Sequence, residues 1–288
     1  MEMILFQLIN GLVYGSLLFL IAAGLSLIFG LMNVVNVAHG SFFMLGAFFG
    51  LSVVELTGSF WLALLLAPVP AIVIGLLMER VFLRSLYSRG HLDQVLLTFG
   101  FTYVFLDLVK ILWGSDIRSL PVPEMLEGAV EILGVIVPTY RLFIIGCGTA
   151  LALVLWLVID RSRVGAMVRA GVDDAPTAMG IGINVPLLFS SIFALGVGLA
   201  ALGGVIAGPV LGLYPGMDVE ILIPAFIVIV IGGMGSLRGA FVGSMLIGIA
   251  DTFGKAYLPD TAMFFIYLVM VAMLLSRPEG LFGVKRSA

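Results

Sequence analysis

DRSRVGAMVRAGVDDAPTAMGIGIN, residues 160–184, is a polar island between two runs that are too apolar for a water-soluble core. Within this polar island, Asp173 and Asp174 can cap the first free N–H groups of a short helix, and Pro176 fits its first turn. Gly180 would end that helix in a left-handed conformation. A helix of about one and a half turns is marginal in water by itself. We therefore expect a partner protein to hold it at a membrane surface; the alternative is an ordinary connecting loop.

The composition of the chain is that of an integral membrane protein. Of its 288 residues, 61% are hydrophobic and 11% are charged, whereas about a quarter of the residues of a soluble domain are charged. The mean hydropathy is +1.23. No polar block is long enough for a separate soluble domain, so residues 1–288 are predicted to form one all-α, polytopic transmembrane domain. A net charge of −3 and a pI of about 5.3 argue against a nucleic-acid partner.

The apolar run at the N-terminus must fold back once. Between Glu2 and Glu55 the only ionisable side chain is His39, and these 52 residues would extend ~78 Å as a helix, against a bilayer core about 30 Å thick. The weakest helical point is the stretch 30–40, which contains glycine and asparagine. The run is also too long for the apolar region of a cleaved signal peptide and lacks a basic segment before it.

Eight to nine spans are predicted when the whole chain is read in this way. The third would bend at Pro68 and Pro70, and the sixth would close at Gly208 and Pro209. A long irregular outer loop is expected at about 114–140. The predicted spans are about 4–31, 40–56, 61–78, 94–113, 142–159, 185–207, two shorter spans between Glu220 and Asp251, and 261–276.

Positive charge sets the predicted orientation of these spans. If the N-terminus is outside, ten of the 14 Lys and Arg residues lie inside, in 79–93, 160–184, the turn at Arg238 and 277–288. Most of the acidic residues then collect on the opposite side. An excess of Lys and Arg in the inner loops is the usual pattern, so this orientation is favoured, with the C-terminus inside.

The two helix breaks are followed by similar sequences. His39-Gly-Ser-Phe42 follows the first break, and Arg238-Gly-Ala-Phe241 follows the second, 199 residues later. Paired breaks in two halves of a transporter point to a solute path, because freed backbone groups survive where they line a cavity or contact protein. Chance similarity is the alternative, and the amides could instead link helices by hydrogen bonds. The candidate path residues are Asn33, Asn36, His39, Gly40, Gly232, Gly233 and Gly235.

The sequence contains no motif for a catalytic or energy-coupling site. GIADTFGK at 248–255 superficially looks like a phosphate-binding loop, but it has one residue too many between its glycines and Ala256 where Ser or Thr is needed. Asp107 and Asp251 fall near predicted span ends, which argues against a proton relay. Cys147 is the only cysteine, so an intrachain disulfide is excluded. We predict no catalytic residue, cofactor or metal.

Three segments resemble a known family: GLSLIFGLMNVVNVAHGSFFMLGAF at 24–48, RAGVDDAPTAMGIGIN at 169–184 and IGGMGSLRGAFVGSMLIGIADTFG at 231–254. They are similar to the membrane subunits of bacterial ABC importers for branched-chain amino acids, and to the permeases that serve urea and short amides. The resemblance covers nearly the whole chain. It implies a type-II-like permease in the bacterial inner membrane.

The resemblance also implies partners. These are a second, paralogous permease subunit, two cytosolic ATPase subunits and a periplasmic solute-binding protein. The family's coupling helix would lie in the polar island, where an ATPase could move the surrounding spans. The residues implicated in coupling are Arg169, Asp173, Asp174, Ala175, Ala178 and Gly180.

The resulting hypothesis is an ATP-driven importer subunit that moves branched-chain or related amino acids through the lipid membrane. Urea, short amides or small carboxylates are alternatives within the same class. An ion-coupled secondary carrier is an alternative of another class. A membrane-embedded enzyme or scaffold is the third class, and the missing catalytic constellation argues against it.

Overall fold

A computed structural model of the chain describes residues 2–87 and 89–283, so Lys285 and Arg286 of the predicted inner C-terminal segment lie outside the described residues. The described chain is mostly helical. Its helices are α1 Glu2–Met32, α2 His39–Thr57, α3 Phe60–Leu66, α4 Pro68–Val81, α5 His91–Trp113, α6 Thr139–Leu155, α7 Arg163–Asp173, α8 Ala175–Gly180, α9 Val185–Leu211, α10 Met217–Gly232, α11 Leu237–Tyr257 and α12 Ala262–Ser276.

Among the residues that the structure describes, six helical segments are long and apolar enough to cross a membrane. They are α1, α2, the α3–α4 pair, α5, α9, and α6 together with the π-helical turn Trp156–Asp160 that continues it. The chain is therefore a multi-pass membrane protein, as predicted. Helices α10 and α12 have 16 and 15 residues, fewer than the roughly 20 that a straight crossing needs. The number of eight to nine crossings stays a prediction.

Helix α1 is the central rod of the molecule. In its most apolar 18-residue window, 83% of the residues are buried, and α6, α9, α10 and α11 all pack around it. Small residues make this possible because they let helix backbones approach closely. A Cβ atom on Gly24 would overlap the carbonyl oxygen of Gly196 in α9, and one on Gly248 of α11 would overlap the backbone at Gly11 and Gly15.

Proline positions confirm one predicted boundary and correct another. Helices α3 and α4 meet at Ala67, directly before Pro68, which is the predicted bend. Pro209, however, does not close α9, which runs on to Leu211 and ends at Gly212 with a φ of 74°. Pro209 removes the bond that its own N–H would donate and crowds the carbonyl four residues back, yet the helix continues for two more residues.

The loop at 114–140 contains the strands β1 Ala129–Ile132 and β2 Val135–Pro138, which pair in antiparallel register with Val130 opposite Val137. Leu133 and Gly134 connect them with φ values of 52° and 85°, as a tight two-residue turn requires. The all-α prediction missed this hairpin. The loop is also tied to the end of α9 by the bridge between Arg118 and Leu213.

The helices define two ends of the molecule. The hairpin side holds the start of α1 and the β-hairpin, where the Cβ position of Gly134 lies 3.6 Å from Oε1 of Glu2. The island side holds the polar island and the end of α1, since Asn33 and Arg169 line one cleft there. Helices α9 and α11 run from the island side towards the hairpin side, antiparallel to α1, whereas α2 begins at the level of Ile21 and Gly24 and runs in the same direction as α9.

Candidate functional site

Polar groups gather at three levels along α1. Tyr14 lines a cleft on the hairpin side. Ile21 and Gly24, further along the helix, contact the buried side chain of His39. Phe29 lines a cleft on the island side. At about 1.5 Å per residue, Tyr14 and Phe29 are separated by roughly 22 Å along the helix axis. The three levels therefore extend over most of the thickness of a bilayer core.

The central polar cluster consists of Asn36, His39, Ser41 and Asp218, all buried. The Oγ of Ser41 donates to Oδ2 of Asp218 at 2.8 Å, and Nε2 of His39 donates to the carbonyl oxygen of Ile21 at 3.2 Å. Among the described residues, the buried side-chain atoms without any hydrogen-bond partner are Nδ2 and Oδ1 of Asn36, Nδ1 of His39 and Oδ1 of Asp218. All four lie at or beside the start of α2, to which Ser41 joins Asp218, and such atoms call for an explanation such as a water or a solute.

Asp218 lies at the start of two helices. It is in the first turn of α10, and a Cβ on Gly40 of α2 would overlap its backbone carbonyl oxygen. The N-terminal ends of helices carry positive partial charge that favours a carboxylate. The chain after α9 folds back into the molecule, so this carboxylate is 1% exposed.

The glycines of the second break serve mainly as packing positions. A Cβ on Gly232 would overlap Gly239, one on Gly233 would overlap Gly283, and the Cα of Gly30 lies 3.1 Å from the Cβ position of Gly235. Gly235 also lines the island-side cleft. The structure therefore brings Asn36, His39 and Gly40 to the start of α2, whereas Gly232 packs against α11 and Gly233 packs against the segment after α12.

The island-side cleft, of about 630 Å³, joins the two breaks to the polar island. Asn33, with a φ of 54°, and Gly235 meet Arg169 and Asp173 of α7 in its lining. Nη1 of Arg169 donates to the carbonyl oxygen of Ile159 at 2.8 Å, which fixes α7 against the π-helical turn. Movement of α7 would therefore change the cleft at both breaks, at Asn33 and at Gly235.

The polar island contains two helices, α7 and α8, of which only the second was predicted. Oδ1 of Asp174 caps α8 by accepting from the N–H of Thr177 at 3.1 Å. Hydrogen bonds from Thr177 lower the pKa of Asp174, so the cap stays ionised at neutral pH. Two details of the prediction are wrong: Asp173 ends α7 and caps nothing, and the left-handed residue is Gly182, with a φ of 93°, rather than Gly180.

The side chains of α8 divide between an inner and an outer face. Ala178 is 2% exposed, so it packs within the chain rather than on a partner. Met179 is 50% exposed and Ile181 is 74% exposed. Met179 of α8 and Ile181, which directly follows it, are therefore exposed apolar side chains that another protein could contact; neither is among the residues predicted for coupling.

Comparison with known proteins identifies the family. The model of a family described as "Branched-chain amino acid transport system / permease component" matches residues 7–274. The chain belongs to this family. It is 31% identical to the high-affinity branched-chain amino acid transport system permease protein BraD of Pseudomonas aeruginosa, over 96% of this chain and 95% of that protein. It is 30% identical to the corresponding LivH of Escherichia coli K12, over 96% and 94%.

The similarity to a solved structure is weaker than the similarity to these relatives. PsaBC from Streptococcus pneumoniae in complex with Fab aligns with 93% of this chain and 89% of that chain, at 15% identity and a TM-score of 0.49. Both values are too low to bear on function. Membership of the permease family therefore rests on the match of nearly the whole sequence.

Asn36 offers a test of how the family's first break is used. We expect Asn36→Leu to leave the thermal unfolding midpoint unchanged or raised, because both amide atoms are buried without partners and an apolar side chain removes that cost of about 1–3 kcal/mol. Solute uptake should fall by about tenfold or more, the loss of about 1.4 kcal/mol of interaction along the path. Unfolding measurements and uptake assays on one preparation decide this. Lost stability would show that the amide links helices instead.

Proposed function

We propose that the chain is a membrane-spanning permease subunit of an ATP-driven ABC importer for branched-chain or related amino acids. Its family and the names of its relatives support the class. The observation that carries the proposal is the buried cluster of Asn36, His39 and Asp218, whose unpaired atoms lie between two clefts on opposite sides of the molecule. An occluded polar level between two openings is what a path with alternating access requires.

The importer needs subunits that this chain does not supply. We propose a type-II-like arrangement with a paralogous second permease, two cytosolic ATPases that hydrolyse ATP, and a periplasmic binding protein. In this arrangement the hairpin side faces the periplasm of a bacterial inner membrane and the island side faces the cytosol. The basic residues of the polar island support this orientation. The solute would cross between the two permease subunits.

Coupling would pass through the polar island. Closure of the ATPase pair on nucleotide would push on α8, whose Met179 and Ile181 are exposed. Helix α7 follows because it is contiguous with α8 and bonded to Ile159 through Arg169. The island-side cleft, which α7 lines together with Asn33 and Gly235, would then change shape.

One observation favours a second candidate, an ion-coupled carrier. Asp218 is a buried carboxylate at membrane depth, and such groups often bind protons or cations in carriers. In an importer driven by ATP, the same carboxylate holds the start of α2 through Ser41. The two functions differ in their energy source.

Reconstitution separates these candidates. We expect proteoliposomes that contain the full set of subunits and external binding protein to take up labelled leucine only when ATP is enclosed with the ATPases, and to keep doing so when ionophores collapse the ion gradients. Uptake by this permease alone that stops with the ionophore would instead establish the carrier. Competition by urea, acetamide and short carboxylates in the same assay tests the alternative solutes.

A further inference from the structure

The cleft on the hairpin side carries two opposite charges that do not neutralise each other. Glu220 and Lys255 both line this cleft of about 200 Å³. Within the described chain, each bonds a different neighbour: Tyr214 donates to Oε2 of Glu220 at 2.6 Å, and Nζ of Lys255 donates to Oδ2 of Asp251 at 2.6 Å. These bonds leave one carboxylate oxygen of Glu220 and two ammonium hydrogens of Lys255 for a ligand.

Each of the two charged side chains also contacts a tyrosine. Nζ of Lys255 lies 5.3 Å from the centre of the Tyr14 ring, at the distance of a cation–π contact. Burial and the bond to Glu220 raise the pKa of Tyr214 to about 12, so its hydroxyl remains a donor at neutral pH. The Lys255 side chain is 63% exposed and Glu220 is exposed as well, so both charges are accessible to a ligand with the opposite pair of charges.

The remaining walls of the cleft are apolar. They come from the end of α9, from α10 and from α2, and they consist of Leu211, Met217, Ile221 and Phe43. The cleft is smaller than the 300–1,000 Å³ typical of pockets for drug-sized ligands. Its size and lining therefore suit a short aliphatic group attached to a charged head.

We propose that this cleft binds a zwitterionic aliphatic amino acid, with the ligand carboxylate on Lys255, its ammonium on Glu220 and its side chain against the apolar walls. The inference rests on the proposed transport function and adds the site at which the permease receives the solute. Urea and short amides carry neither charge, and carboxylates carry only one. The cleft therefore selects amino acids over the other solutes of the class.

The location of the cleft supports a role on the path. Phe43 lies two residues after Ser41, and Met217 directly precedes Asp218, so two of the cleft's lining residues are sequence neighbours of the Ser41–Asp218 hydrogen bond. Phe43 is 0% exposed and Met217 is 3% exposed. The cleft therefore adjoins the segment that holds Asp218, whose Oδ1 has no hydrogen-bond partner.

Binding to the permease itself tests the site. The full-length chain, in the complex in which it purifies, is placed in lipid nanodiscs without nucleotide or binding protein and titrated with leucine, 4-methylpentanoate or isopentylamine. Saturation-transfer NMR reports bound ligand. Leucine should bind, and the two analogues, each lacking one charge, should bind about tenfold or more weakly, as expected for the loss of a charged hydrogen bond.

Variants assign the binding to the two charges. Glu220→Gln and Lys255→Met should each weaken leucine binding about tenfold or more. Lys110→Met is the matched control, since Lys110 also pairs with an aspartate of its own helix but lies outside the cleft. Because Lys255→Met leaves Asp251 without its partner, the double variant D251N/K255M is measured as well, with the unliganded unfolding midpoint as the check on folding.

The outcomes separate the cleft from the transport function. Equal binding of leucine by wild type, Glu220→Gln and folded Lys255 variants would overturn the cleft as the amino-acid site, even if ATP-driven leucine uptake persists. Absence of leucine binding to wild type would overturn it too. If leucine binding depends on the two charges but no ATP-driven amino-acid uptake is seen, the cleft remains an amino-acid site and the proposed importer function is wrong.

Discussion

Replacing Gly204 with alanine is expected to lower the thermal unfolding midpoint of the protein by roughly 5 °C or more. Gly204 lies where α9 crosses α2, and a Cβ atom there would overlap the carbonyl oxygen of Phe43. The obstacle is backbone rather than a movable side chain, so the two helices must separate. Overpacking of this kind costs about 1–3 kcal/mol, occasionally more. Fluorescence-detected size exclusion after heating measures the midpoint in detergent.

Gly146→Ala is the matched control for this prediction. Gly146 is also inside a helix, α6, but no described atom lies within 4 Å of its Cβ position. Because alanine favours helix by about 0.5–1 kcal/mol over glycine, its midpoint should be unchanged or higher. Equal midpoints for both variants would mean that α2 and α9 are not in backbone contact.

The helix crossings show why the role of the glycines could not be read from the sequence. The spacing of Gly235 and Gly239 favours tight helix packing but does not say which backbones meet. In the fold, Gly239 faces Gly232 and Gly235 faces Gly30, a pairing of residues about 200 positions apart. Only the three-dimensional arrangement separates these contacts from the buried, unpaired amide of Asn36.

Local signals were reliable where the chemistry is local. Asp174 bonds a backbone N–H three residues on, and Pro68 interrupts a helix by its own ring, so both were predictable. The burial of Asp218 could not be predicted, because it depends on how residues 212–217 turn back into the molecule. The strand pair at 129–138 was hidden among the prolines and acidic residues of a long loop.

Replacing Ile181 with aspartate is expected to uncouple transport while the permease stays folded. Ile181 follows α8 and is 74% exposed, so a charge there costs the isolated chain little. On the proposed ATPase it would bury an unpaired carboxylate in an apolar contact, a loss of about 2 kcal/mol or more at an interface hot spot. That loss corresponds to roughly 30-fold weaker association.

Three measurements on reconstituted subunits decide whether α8 is the coupling contact. With Ile181→Asp, leucine uptake and the stimulation of ATP hydrolysis by loaded binding protein should both fall, and the ATPase should co-purify poorly. Leu133→Asp, an exposed apolar residue on the opposite side, should leave co-purification of the ATPase as in wild type. Ala178→Arg should instead lower the unfolding midpoint of the permease itself, because Ala178 is buried within the chain. If the folded Ile181→Asp variant couples ATP hydrolysis to transport as wild type does, the ATPase does not contact the permease at α8.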